Sequence, residues 1–117
     1  MIKDQTFSKT NRLLKPSEFQ SVYTKRQWVA NRELVANFRQ NNSQNAKLGL
    51  TVSKKISKRA VDRNRIKRQV REWFRQNKQV FGCIDLIITA KPALKSKTTI
   101  EIQQSLDDLW RKVQKKC

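Results

Sequence analysis

The chain contains no histidine. That removes Ser-His and Cys-His nucleophilic catalysis, imidazole acid–base chemistry and histidine-ligated zinc together. Acidic residues number only nine, and Asp4, Glu18, Glu33, Asp62, Glu72, Asp85, Glu101, Asp107 and Asp108 are scattered except for the last two. Metal-dependent nuclease chemistry requires carboxylates that converge on an ion. Neighbouring Asp107 and Asp108, in a helical stretch, diverge instead, so no metal ligands and no catalytic residues are expected. The two cysteines, Cys83 and Cys117, lack the spacing of a metal site and read as free thiols. Long apolar runs are missing as well. The longest, Ile84 to Ala90, includes Asp85 and Thr89 and is too short and polar to span a bilayer. The opening MIKDQTFSKTNRLLK has no apolar segment of a secretory signal, which predicts a cytoplasmic protein.

What is present is positive charge. Lysine and arginine total 27, giving a net charge of +18 over 117 residues and a pI near 10.8. Such an excess repels itself in the folded state and attracts polyanions, phosphate-bearing ones above all. With 37% hydrophobic residues the length suits one domain, 1–117, with a flexible basic arm over 1–14.

The stretch KKISKRAVDRNRIKRQVREWFR, Lys54 to Arg75, organises the rest. Ile66, Val70, Trp73 and Phe74 recur at i, i+4, i+7 and i+8, one buried stripe of a helix. Asn64, Lys67, Arg68, Arg71 and Arg75 then share a neighbouring stripe, with Arg65 flanking the apolar face on its other side. Nine acidic residues are too few to neutralise that ridge. Asp62 near the helix start is favoured by the dipole.

Before this helix, Pro16, Glu18 and the pattern Phe19, Val22, Tyr23 predict a short helix ending near Lys25. Gln27 to Asn31 suits a short strand, and Leu34, Ala36 and Phe38 alternate with Val35, Asn37 and Arg39 in another. Asn41 to Asn45 is a polar turn. In the next strand Leu48, Leu50 and Val52 face the core. Gly49, Thr51 and Ser53 face away, either leaving room for a ligand or marking close backbone packing at Gly49. Ile84 to Ala90 reads as an interior strand stopped by Lys91-Pro92. Thr98 and Glu101 have capping-box spacing ahead of a helix with Ile102, Leu106, Leu109, Trp110 and Val113 on one stripe. Trp28, Trp73 and Trp110 are assigned to the core or its boundary. The fold class is α+β, a two-layer sandwich in the order α-β-β-β-α-β-α with helices packed on a sheet.

Lys54-Lys55 after G-x-T-V-S, then Ala60-Val61, Arg63-Asn64-Arg65, Lys67-Arg68 and Arg71-Glu72, resemble the RNR signature of the bacterial ribonuclease P protein family. Matching flanks extend from Arg12-Leu13 and Glu18-Phe19 to Asp85-Leu86-Ile87-Ile88 and the last helix. The resemblance implies a four-stranded mixed sheet with a left-handed βαβ crossover, against the usual right-handed rule. It also implies the protein subunit of an endonuclease that removes the 5′ leader of precursor tRNA. In that family the partners are the catalytic RNA subunit and precursor tRNA, with no protein partner required and no membrane. The cofactor is Mg2+, held by the RNA subunit, which performs the hydrolysis. Carried over by position, Lys55, Arg59, Arg63, Asn64, Arg65, Lys67, Arg68 and Arg71, with Lys54 and Arg75 at the ends, form the RNA-binding surface. Phe19 and Tyr23 match the family's leader-binding positions, and where relatives often place another aromatic this chain has Asn37 beside Phe38, so that either Asn37 or Phe38 is the further leader-binding candidate. The alternative is a non-enzymatic RNA-binding protein of ribosomal type, which shares the charge and fold class without needing a leader cleft.

Overall fold

The structure, a computed structural model, describes residues 12–13, 15–41, 46–82 and 84–116. Cys83, Cys117 and most of the Asn41 to Asn45 turn lie outside the described residues. The elements are α1 (Pro16–Tyr23), β1 (Trp28–Ala30), β2 (Leu34–Gln40), β3 (Lys47–Thr51), α2 (Ala60–Phe81), β4 (Ile84–Ala90), a 3-10 turn (Pro92–Ser96) and α3 (Thr99–Lys116). The four strands lie in the order β1-β2-β4-β3, with β3 and β4 parallel and the other pairs antiparallel. The sheet is therefore mixed, and α2 makes the crossover between its parallel neighbours.

β4 is buried along nearly its whole length, with Ile84, Leu86, Ile88 and Ala90 on one face and Ile87 between ion-paired Asp85 and Thr89 on the other. A strand of that kind needs cover on both sides. On one side Leu34, Ala36, Phe38, Leu48, Leu86 and Ile88 meet Ile66, Val70 and Phe74 of α2 and Ile102, Leu106, Leu109 and Val113 of α3. On the other side Ile87 gathers Leu13 and Val22, with Phe19 packed against them. The two-layer sandwich of α2, α3 and sheet thus carries α1 on its opposite face.

Local chemistry sets the helix starts. The Lys15 N–H donates to the Glu18 carboxylate at 3.0 Å ahead of α1. At α3 the Thr98 N–H donates to Glu101 at 2.9 Å while the Glu101 N–H donates to the Thr98 hydroxyl at 3.2 Å, the expected reciprocal cap. These bonds from Thr98 hold the Glu101 carboxyl below the ordinary carboxylate range. Trp73 is buried and its indole N–H donates to Asp107 at 2.9 Å, whereas Asp108 faces Asn31 and Lys112. The two aspartates diverge, each with its own partner.

The arm expected over 1–14 is corrected at its end. Arg12 bridges to Leu48, the Leu13 N–H donates to the Leu48 carbonyl at 3.0 Å, and Leu13 is buried. Its backbone covers the open edge of β3, and its apolar side chain belongs to the α1 cluster. Residues 1–11 and 14 lie outside the described residues. Among the described residues no helix is long and apolar enough to cross a membrane.

Candidate nucleic-acid interface

The loop into α2 is tied down by its own short side chains. Ser57 donates its hydroxyl hydrogen to Asp62 at 2.8 Å and accepts the Arg59 N–H at 3.1 Å. The Arg63 guanidinium closes the same loop on the Ser57 carbonyl at 2.8 Å. Asp62 therefore does the structural work expected of it, and Arg63 is partly committed to the loop. Lys54, Lys55 and Arg59 are exposed around the turn.

Along α2, Asn64, Arg68, Arg71 and Arg75 share one stripe and, with Glu72, line an open depression of about 460 Å³. Arg12 completes its wall. Arg12 belongs to the matching flank of the family, but its place beside α2 depends on its bridge to Leu48, remote in sequence, which no local pattern encodes. The ridge is also not wholly without counter-charge. Glu72 pairs with Arg75, one turn along the same helix, with an Arg75 Nε contact of 3.1 Å. That hydrogen bond holds the Glu72 carboxyl below its ordinary range and raises Arg75 further. Lys67 is half-buried beside the stripe. Arg65, counted with the RNA-binding set, donates its guanidinium to the Lys97 carbonyl at 2.7 Å, on the flank where α2 meets the approach to α3.

The other sheet face carries the second group. Paired strand residues share a face, so Trp28, Asn37, Ile87 and Gly49 form one row across β1, β2, β4 and β3. The Phe19 ring lies on Gly49. A Cβ there would sit 2.7 and 2.8 Å from two ring carbons and 3.3 Å from Ile87 Cγ1. Gly49 thus serves close packing, and its open side is filled by Phe19 rather than left for a ligand. Phe19 is half-buried, whereas Tyr23 at the end of α1 is 40% exposed. Asn37 is half-exposed on β2. Phe38 is corrected: at 1% exposure it sits in the α2–α3 core, because successive strand residues point to opposite faces. Trp28 is corrected in the opposite sense. Its neighbour Val29 takes the core position, leaving Trp28 54% exposed on the α1 side.

Ion pairs frame this face. Asp85, 2% exposed, accepts from Arg39 Nε at 2.9 Å and from Asn41 at 2.6 Å, and Lys47 lies 3.7 Å from Glu18. Among the described residues no three carboxylates or thiols come together as metal ligands do.

A family model described as Ribonuclease P matches residues 7–114. The chain is 35% identical to the ribonuclease P protein component of Thioalkalivibrio sulfidiphilus over 117 residues, covering all of this chain and 98% of that one. It is 40% identical to the Pseudoalteromonas atlantica protein component over 114 residues, covering 97% and 95% of the two chains. Among solved structures, the Staphylococcus aureus RNase P protein superposes with a TM-score of 0.84 at 38% identity, covering 88% of this chain and 94% of that one.

Proposed function

The chain belongs to the ribonuclease P protein family, and from that premise we propose that it is the protein subunit of the ribonucleoprotein that cleaves the 5′ leader from precursor tRNA. The α2 depression, with Arg12, Asn64, Arg68 and Arg71, grips phosphates of the RNA subunit. The exposed residues on the α1 side of the sheet, Tyr23 at the end of α1 and Asn37 on β2 among them, hold the single-stranded leader, with Phe19 packed beneath. The protein works in the cytoplasm as one domain, and the Mg2+ ions of the hydrolysis belong to the RNA subunit. Its part is electrostatic. Twenty-seven cations offset the repulsion between the phosphates of enzyme RNA and substrate, a benefit that shrinks as magnesium rises.

The observation that carries this reading is the separation of two surfaces: a cationic depression on α2 and an aromatic-bearing face on the opposite side of the sheet. The test uses the holoenzyme reconstituted with its RNA. Arg68→Glu removes one phosphate contact and adds repulsion, so assembly weakens and its salt dependence flattens. Tyr23→Ala leaves assembly intact and loses about 1–3 kcal/mol of precursor affinity, with mature tRNA unaffected. Equal loss for both tRNAs would place the leader elsewhere.

A further inference from the structure

Phe19, Tyr23 and Trp28 mark successive points on one path. The chain leaves its bridge to β3 at Arg12, passes over the sheet as α1 with Phe19 above Gly49 of β3, and re-enters the sheet at Trp28 on β1, the opposite edge. Three inter-strand spacings, roughly 14 Å, separate those edges. α1 packs on β2 and β4 and stops at Tyr23, before β1 begins. Trp28 therefore keeps 54% of its surface in solvent.

Its backbone, by contrast, is fixed. The Trp28 carbonyl accepts from Lys116 at 3.2 Å, the preceding Gln27 carbonyl accepts the Phe38 N–H at 3.1 Å, and Val29 is buried. A ring on a rigid strand loses little freedom on binding. Between the two exposed rings, Lys25 and Arg26 are exposed in a turn that closes with the Arg26 N–H on the Tyr23 carbonyl at 3.1 Å. Arg26 takes a left-handed φ of 54° there. Cations alternating with open rings are how sequence-tolerant surfaces hold single-stranded nucleic acid: charge follows the backbone while π-faces take the bases. Asn37, next to Trp28 on β2, offers an amide and no ring.

We propose that Trp28 is a further stacking platform for the single-stranded leader, taking a base beyond the one at Tyr23 while Lys25 and Arg26 hold the phosphates between. This rests on the reading that the α1 side of the sheet binds the leader.

The experiment compares holoenzymes carrying Trp28→Ala, Trp28→Phe and Tyr23→Ala. Their substrates are precursor tRNA with a leader long enough to cross the face, and leaderless mature tRNA. Trp28→Ala is expected to weaken precursor binding roughly five- to a hundredfold without changing mature tRNA binding. Trp28→Phe should recover most of the loss. The salt slope should stay unchanged, because no charge has been removed. Leader binding should also quench tryptophan emission in the unmutated holoenzyme but not in Trp28→Phe. Wild-type precursor affinity in Trp28→Ala beside a weakened Tyr23→Ala would overturn the role of Trp28 and leave the leader surface standing. Wild-type affinity in both would overturn the surface and the proposal together. Equal weakening of both tRNAs with a lowered unfolding temperature would make Trp28 structural, which also overturns it.

Discussion

At the scale of single residues, the tightest constraint lies where α1 meets the sheet. Gly49 and Phe19 are complementary: the ring occupies the space that any Cβ at position 49 would need. Ile87 stands 3.3 Å from that same point and is fully buried, so it has nowhere to retreat, whereas half-buried Phe19 can tilt outward. Gly49→Ala is therefore expected to displace the ring and destabilise the fold by about 1–3 kcal/mol, the usual range for overpacking. Phe19→Ala removes the opposing partner. The double variant should then lose less stability in urea unfolding than the two single changes summed. Strict additivity would mean that the contact does not limit position 49. The same packing makes Phe19→Ala an ambiguous probe of leader binding, and Tyr23, on the exposed rim, the cleaner one.

At the scale of elements, α2 is a helix with two polar flanks of different purpose. One, with Asn64, Arg68, Arg71 and Arg75, opens to solvent; the other holds α3 alongside through Arg65 to the Lys97 carbonyl and Gln103 to the Gln69 carbonyl. Arg65→Ala should accordingly lower thermal stability by about 1 kcal/mol, as for loss of a partly solvated charged hydrogen bond, while assembly with the RNA keeps its salt slope. A flattened slope like that of Arg68→Glu would return Arg65 to the RNA surface. Sequence periodicity locates α2, α3 and β4 well because each has a continuous apolar stripe or run. The α3 cap was legible too, since Thr98 and Glu101 lie within one turn and need no distant partner. Which strand face meets which layer was not. Alternation in β2 separates Phe38 from Asn37, but it does not say that α1 would cross to the Asn37 side. Arg12 and Trp28 failed to stand out for a related reason: Arg12 is placed by its bridge to β3, and Trp28 stays exposed because α1 ends before β1 begins, and no local pattern encodes either.

At the scale of the whole molecule, charge competes with a small core. The radius of gyration is 13.6 Å and the net charge +18. At about 0.01 M salt the screening length is roughly 30 Å, longer than the molecule's radius, so all the charges repel one another; near 0.15 M it falls to about 8 Å and only neighbours interact. Stability in the absence of RNA should therefore rise with salt of any kind. Site-bound anions would add a second effect. An anion held in the Arg12, Arg68 and Arg71 depression binds only the folded chain, because those cations come from segments distant in sequence. Such binding stabilises by mass action, about 2.7 kcal/mol when the anion is at a hundred times its dissociation constant. At low salt the RNA-free protein is expected to be partly unfolded, with helix content by circular dichroism rising as phosphate is added. Chloride at matched ionic strength separates the two effects, since it screens as well but cannot bridge several arginines. A higher unfolding temperature in phosphate than in chloride, reduced in Arg68→Ala, would assign the difference to the depression. Equal curves in the two salts would reduce it to general screening, and the α2 surface would then meet its RNA as a diffuse charge rather than as a set of phosphate sites.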